Sequence, residues 1–265
     1  MALRDRTAGD VILALEGVKI GFGSGAARKT IYDGIDLEVK KGEVLTILGG
    51  SGTGKSVMLK LLIGLLKPDS GKILVDGVDV VALDEKALRS VRRQVGMVFQ
   101  GAALFDSLSV YENVAYPLRE HSRDMREDAI AAIVSEKLAL VGLSGTEKMK
   151  PADLSGGMRK RIGLARVLAT GVDVILYDEP TTGLDPTNTR RINELIKRVN
   201  QTLGVTSVVV THDMASAFDV SDRMAMLHEK RIAWIGSTAE ARSESGIVKN
   251  FIEGTVEDGE MQHGS

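Results

Sequence analysis

Eight consecutive residues constrain this chain more than any others: Gly49-Gly50-Ser51-Gly52-Thr53-Gly54-Lys55-Ser56. They satisfy the pattern G-x-x-x-x-G-K-[ST] and stand between an apolar run, Val44–Leu48, and a helix-forming stretch that begins at Lys55. Small residues let backbone N–H groups close around phosphate oxygens without Cβ clashes. The helix that follows adds free donors and a favourable dipole. Lys55 is expected to reach the β- and γ-phosphates of a nucleotide, and the Ser56 hydroxyl to ligate Mg²⁺. A glycine-rich turn without nucleotide is the plain alternative, and the complete match in its strand-to-helix setting opposes it.

A loop of this kind needs a parallel sheet behind it, and the chain supplies one. Val44–Leu48, Val95–Phe99, Val172–Tyr177 and Thr206–Val210 are short, β-rich and apolar on both faces, as covered strands are. Helical periodicity falls between them. Ile192, Leu195, Ile196 and Val199 form one stripe, with Asp185-Pro186 placed to cap and open the helix. Ile130, Ile133, Val134, Leu138 and Val141 form another. Ile73–Gly77 reads as a strand entering a tight turn. Met224–Leu227 and Ile232–Ile235 read as a hairpin joined by His228–Arg231. The stretch Gly101–Met158 has no strong strand and reads as a helical insertion in an α/β core. The tail after Gly254 is acidic and reads as loose.

The run Val174-Ile175-Leu176-Tyr177 ends in Asp178-Glu179. Acids at the carboxyl edge of a parallel sheet sit where α/β proteins bind ligands. Asp178 suits a Mg²⁺ contact through water, and Glu179 suits the general base that polarises an attacking water. A solvated acidic strand end is the alternative.

Bulk properties narrow the partners. The 265 residues are 43% hydrophobic and 26% charged, with a formal net charge of −2. There is no basic excess of the sort that nucleic-acid binders carry, so no nucleic acid is expected. No cysteine is present, which removes disulfides and thiolate metal sites. Met1 to Asp10 is polar and lacks the apolar stretch of a signal peptide. The longest apolar run, Leu61–Leu66 with Gly64 inside it, is far short of a membrane span, so any membrane role is expected to run through a partner.

Leu154-Ser155-Gly156-Gly157-Met158 resembles the LSGGQ signature of the ABC ATPases, with Met158 in place of glutamine. Ser155, Gly156 and Gly157 at a helix start form an anion-binding nest. Other family marks follow in order: Gln100 as the Q-loop glutamine, Gly183-Leu184-Asp185 as the D-loop, His212 as the switch histidine. Phe22 lies where an aromatic stacks on adenine, or is a core residue beside a glycine turn. The resemblance runs from about Val11 to Gly236. It implies a P-loop NTPase core with antiparallel β elements and a helical subdomain. Residues 1–100 and 166–240 would be the two parts of the ATP-binding core, 101–165 the helical subdomain and 241–265 a C-terminal extension. It also implies Mg-ATP hydrolysis at sites completed by a second copy of the chain. Glu179, His212, Lys55 and Gln100 would be catalytic. Gly49, Ser51, Gly52, Thr53, Gly54, Ser56 and Asp185 would hold nucleotide, and Ser56, Gln100 and Asp178 the metal.

The segment after Gln100, Ala103–Val110 and Glu112–Glu120, is similar to the ATPase subunits of MCE-associated (Mla) phospholipid transporters, as is Leu203–Asp213. That likeness implies transmembrane permease partners, an MCE lipid-binding protein, a STAS-domain protein and a place on the cytoplasmic face of the inner membrane. Leu104, Phe105 and Leu108 would then line a groove for a permease helix, or else pack the helical insertion. A transporter ATPase for another substrate shares every catalytic residue. A DNA-repair or chromosome ATPase is opposed by the lack of a heptad tract, cysteine or basic excess. An inactive regulatory subunit is opposed by Lys55, Asp178, Glu179 and His212. His121, His228 and His263 receive no role.

Overall fold

The computed structural model describes residues 10–122 and 124–252. The expectations for the first nine residues, for the tail after Gly254 and for His263 lie outside them. In chain order the strands are β1 (Val11–Phe22), β2 (Lys29–Lys40), β3 (Val44–Leu48), β4 (Ser70–Val75), β5 (Val78–Asp79), β6 (Val95–Val98), β7 (Val174–Asp178), β8 (Thr206–Val210), β9 (Arg223–His228) and β10 (Arg231–Ser237). The helices are α1 (Lys55–Leu62), α2 (Glu85–Gln94), α3 (Val110–His121), α4 (Glu127–Leu140), α5 (Gly156–Ala169), α6 (Pro186–Leu203), α7 (Met214–Val220), α8 (Thr238–Ser243) and α9 (Ile247–Ile252). The class is α/β, as the alternation of apolar runs and helical stripes requires. None of the described helices is long and apolar enough to cross a membrane.

The chain divides into two compact units. The first joins the described residues up to Ala82 with the described residues from Val210 onward. Here β1 pairs antiparallel with both β2 and β4, and β4 turns back into β5. The turn is Asp76-Gly77, with φ of 49° and 76°, the positive pair that a two-residue hairpin loop needs. All five residues of β3 are buried, and β3 runs parallel to β9 from Leu45↔Arg223 to Leu48↔Met226. The β9–β10 hairpin turns tightly on Glu229-Lys230, with φ of 44° and 68°, between His228 and Arg231. Leu48, Ala217, Met224, Met226, Ala241 and Val248 form a core that seats α7, α8 and α9.

The second unit is contiguous, Leu83 to Val209. Strand β7 lies between β6 and β8, and β6 and β7 are parallel from Val95↔Val174 to Val98↔Tyr177. Strand β6 ends at Val98, so Phe99 and Gln100 fall in the following turn rather than on the strand. Helix α6 opens as expected: Asp185 caps it, accepting from Thr187 and Asn188 N–H at 3.0 Å each, and Pro186 occupies its first turn. The described residues of 101–158 form helices and turns and no strand. Helix α5 packs on α3 and α4, and Ile162, Leu164, Ala165 and Leu168 are among its buried residues. Val114, Ala115 and Leu118 of α3 and Ile130, Val134 and Leu138 of α4 are buried on their own helices.

Candidate nucleotide site

In the first unit, the segment after β3 turns sharply. Gly52 and Gly54 take φ of 78° and 104°, a conformation that costs any residue with a Cβ. At Gly54 sterics agree with torsion, because a Cβ would meet Ile31 Cγ2 at 2.6 Å and Tyr32 Cε1 at 3.1 Å. Gly49 is as confined: its Cβ would meet Leu227 O at 2.8 Å and Thr53 Oγ1 at 2.9 Å. The loop is braced from within and from below. Thr53 Oγ1 donates to Gly50 O at 2.9 Å, and Tyr32 OH donates to Gly54 O at 2.6 Å. Burial pushes the Tyr32 phenol pKa up, so this brace stays a donor. Lys55, only 7% exposed, donates from Nζ to Gly49 O at 2.8 Å and to Gly50 O at 2.9 Å. Its ammonium therefore lies inside the loop's curve. Ser56 follows on the first turn of α1, half-buried. Ser51 is exposed on the loop.

His212 belongs to the same unit and is exposed one residue past Thr211. Thr211 N–H donates to Ile47 O of β3 at 3.3 Å. Asp213 caps α7 through Ala215 and Ser216 N–H. The histidine is thus fixed between the strand that feeds the loop and a capped helix. Phe22, at the end of β1, is 43% exposed, which sets aside the core alternative for it.

The second unit holds the acids. Asp178 ends β7 and Glu179 follows, both half-buried. Glu179 takes φ of 47°, a left-handed conformation that costs a side-chain-bearing residue about 1–3 kcal/mol unless its surroundings hold it. Thr182 Oγ1 donates to Glu179 Oε2 at 3.0 Å, and Lys160 Nζ donates to Glu179 O at 3.2 Å and Thr182 O at 2.8 Å. Burial lowers the Lys160 pKa, and the Glu179 charge works against that.

Ser155 caps α5 with Oγ accepting from Met158 N–H at 3.3 Å. That bond uses the backbone, so methionine in place of glutamine leaves the cap intact. Gly156 and Gly157 form the first turn, and a Cβ on Gly157 would meet Asn188 Oδ1 at 2.8 Å. Asn188 in turn donates to Asp185, whose carboxyl is held below its usual range chiefly by the Asn188 and Thr187 bonds. The Ser155–Gly157 turn and the Asp185 cap of α6 are therefore neighbours in one unit.

Gln100 is exposed in the turn after β6. Ala102 and Ala103 follow with φ of 61° and 48°, and Arg166 of α5 donates to both carbonyls, at 2.9 and 2.7 Å. Burial lowers the Arg166 pKa, and its charge is spent on these two carbonyls. Asn113, fully buried, organises the next loop. Its Oδ1 accepts from Phe105 N–H at 2.8 Å, and its Nδ2 faces the carbonyls of Phe105, Leu108 and Ser109 at 3.0–3.3 Å. Ser109 and Glu112 close a capping box on α3. These bonds leave Phe105 43% and Tyr116 44% exposed, with ring centroids 4.9 Å apart. Both line a cavity of about 350 Å³ with Met97, Pro117, Val167 and Val172. His121, given no role from sequence, also lies on its wall. Leu104 and Leu108 are half-buried, and neither is among the residues lining the cavity.

Tyr32, Lys160, Thr182, Arg166 and Tyr116 were not singled out from sequence. Each is of a residue type that reads as ordinary core or surface until its partner is placed.

Comparison with known proteins agrees with this geometry. Residues 32–182 match the ABC transporter family. A probable ribonucleotide transport ATP-binding protein, mkl, of Mycobacterium leprae (strain TN) is 44% identical over 92% of this chain and 69% of its own. The intermembrane phospholipid transport system ATP-binding protein MlaF of Haemophilus influenzae (strain ATCC 51907 / DSM 11121 / KW20 / Rd) is 41% identical over 85% of this chain and 86% of its own. Among solved structures, a dimeric post-hydrolysis ATP-binding cassette bound to ADP and Pi superposes with a TM-score of 0.79 at 33% identity, over 85% of this chain and 98% of that one. With the phosphate-loop geometry, these likenesses place the chain in the ABC transporter family, as an ATP-binding subunit that hydrolyses ATP.

Proposed function

We propose that the chain drives phospholipid transport across a cell envelope, working as a homodimer on the cytoplasmic face of a membrane and bound there to permease subunits. The observation that carries the lipid reading is reciprocal coverage: the MlaF relative aligns along most of both chains, whereas mkl extends well beyond the shared region. A methionine import ATP-binding protein of Rhodococcus jostii (strain RHA1), 43% identical over 91% of this chain and 71% of its own, keeps a second substrate class in view. An MCE lipid-binding protein and a STAS-domain protein complete the proposed assembly. Residues 101–165 act in it as the helical subdomain between the two parts of the ATP-binding core. The test is reconstitution with the co-purifying permease in vesicles. ATP-dependent movement of a labelled phospholipid supports the proposal, and movement of a nucleotide or methionine instead overturns it.

In this reading Lys55 and the loop residues Gly49, Ser51, Gly52, Thr53 and Gly54 hold the phosphates, and Phe22 stacks on adenine. Glu179 polarises the attacking water, and His212 and Gln100 contact the γ-phosphate. No group of three or more His, Asp or Glu residues among the described residues forms a metal cage. Ser56 in the first unit brings a hydroxyl, and Asp178 and Gln100 in the second a carboxylate and an amide, each an oxygen donor of the kind that Mg²⁺ takes beside phosphate and water. Bound there, the ion would neutralise charge on the β- and γ-oxygens. Ser155, Gly156, Gly157 and Asp185 serve the nucleotide of the second copy. Ser155→Arg then leaves ATP binding within about twofold while hydrolysis falls by about a hundredfold or more. Normal turnover in this variant removes the shared-site reading.

The cavity beside Phe105 and Tyr116 is the proposed seat of a permease helix. Covering a Phe side chain is worth roughly 1.5–3 kcal/mol, and a charge placed there adds a desolvation cost. Phe105→Asp is expected to keep the melting temperature of the isolated chain within about 3 °C, since the ring is exposed. Co-purification of permease is expected to be lost. A variant that assembles fully and keeps permease-stimulated hydrolysis contradicts the docking role.

A further inference from the structure

Lys160 is an unusual lysine. It is 8% exposed, and its ammonium meets backbone carbonyls: Thr182 O at 2.8 Å and Glu179 O at 3.2 Å. Those two carbonyls bracket the turn that leaves β7, and Thr182 N–H also donates to Glu179 O at 3.3 Å. Glu179 stands in that turn with φ of 47°, a conformation that persists in a non-glycine residue only when neighbours over-determine it. The carboxylate is aimed from the same turn by Thr182 Oγ1. Lys160 itself rides on α5, five residues beyond the Ser155 cap and one turn beyond Gly157, which abuts Asn188 beside Asp185. One rigid helix thus carries the signature at its tip and grips the main chain of the acid from its second turn.

We propose that Lys160 is a positioning residue for hydrolysis: it holds the Glu179 backbone left-handed and so transmits displacement of the α5 tip to the carboxylate. The proposal rests on Glu179 being the general base. It makes two parts of the second unit interdependent: a signature engaged by one nucleotide sets the base that polarises the water attacking another. A charged amine is suited to this task because it donates to two carbonyls at once from the end of a long apolar stem.

The test uses the full chain with Mg-ATP and four variants. Lys160→Met keeps the stem and removes the donors. Its kcat is expected to fall by about tenfold or more with KM for ATP within about twofold, the pattern of an interaction made after binding. Lys160→Arg, which again donates to two carbonyls, is expected to recover at least about half of the lost turnover. In the Glu179→Gln background, adding Lys160→Met is expected to change the residual rate by less than about twofold, because Lys160 acts through that acid. A Lys160→Met chain with normal kcat, or one in which KM alone rises, overturns the proposal. So does a further tenfold loss in the double variant, which would mark Lys160 as a general structural support. If Lys160→Met does not fold, Lys160→Gln takes its place under the same criteria. Undiminished hydrolysis by Glu179→Gln alone removes the base reading and this proposal with it. Loss in Glu179→Gln beside normal turnover in Lys160→Met removes the proposal only.

Discussion

Glu179→Gln is expected to bind Mg-ATP normally, hydrolyse it about a hundredfold or more slowly, and accumulate as an ATP-bound dimer. The amide keeps the size of the side chain, and its oxygen still accepts from Thr182 Oγ1, so the turn after β7 stays closed. What is lost is the capacity to take a proton from the attacking water. Lys160 and Thr182 hold the main chain by its carbonyls, which the substitution does not touch. Folding stability is therefore expected to change by less than about 1 kcal/mol. Light scattering after size exclusion, with and without Mg-ATP, reads the dimer. A monomer at saturating ATP that hydrolyses at the wild-type rate contradicts both the base role and the shared site.

Lys55→Ala is expected to have the other large effect. The ammonium lies inside the phosphate loop, 2.8 Å from Gly49 O and 2.9 Å from Gly50 O, where it can turn to phosphate oxygens with little movement of its stem. Removing one charged donor from such a cradle costs about a hundred- to a thousandfold in turnover. Nucleotide affinity is expected to fall as well, which separates this variant from Glu179→Gln. The loop itself loses two bonds to backbone carbonyls, one buried and one half-buried, an expected cost of about 1–3 kcal/mol and a lower melting temperature. Lys55→Met keeps the stem and separates the packing loss from the loss of charge. Hydrolysis within about threefold of wild type in both variants excludes the phosphate role.

These two sites were legible because each joins a rigid spacing to a strand that has no surface. The runs before Gly49 and before Asp178 are buried along nearly their full length, so their apolar character needed no alternation to be read. Strands β1 and β2 were harder, although each has twelve residues. Gly17 and Gly34 take φ of 57° and 86°, and the β1–β2 register shifts at several points, including between Leu15 and Val18. Each irregularity moves the side chains to the other face, which breaks the period-2 pattern that marks a half-buried strand. The braces of the site were hidden for a different reason. Tyr32, Lys160 and Arg166 act on backbone carbonyls, and a carbonyl leaves no trace in the identity of the residue that owns it. Asn113 lies between these cases: its place in the Glu112–Glu120 segment was noticed as a likeness, and its reason is the loop polar groups that it satisfies.

The parallel pairing of β3 with β9 has a consequence for the chain as it is made. Val44 N–H reaches its acceptor, Asp222 Oδ2, across 178 residues. At about 5–20 residues per second, the ribosome needs roughly 10–35 s to supply that partner. The intervening Leu83–Val209 unit is contiguous and is complete by then, whereas the phosphate-loop unit waits with an apolar strand lacking its neighbour. Nascent chains stalled before residue 223 therefore carry an uncovered β3 edge, the kind of surface that chaperones engage.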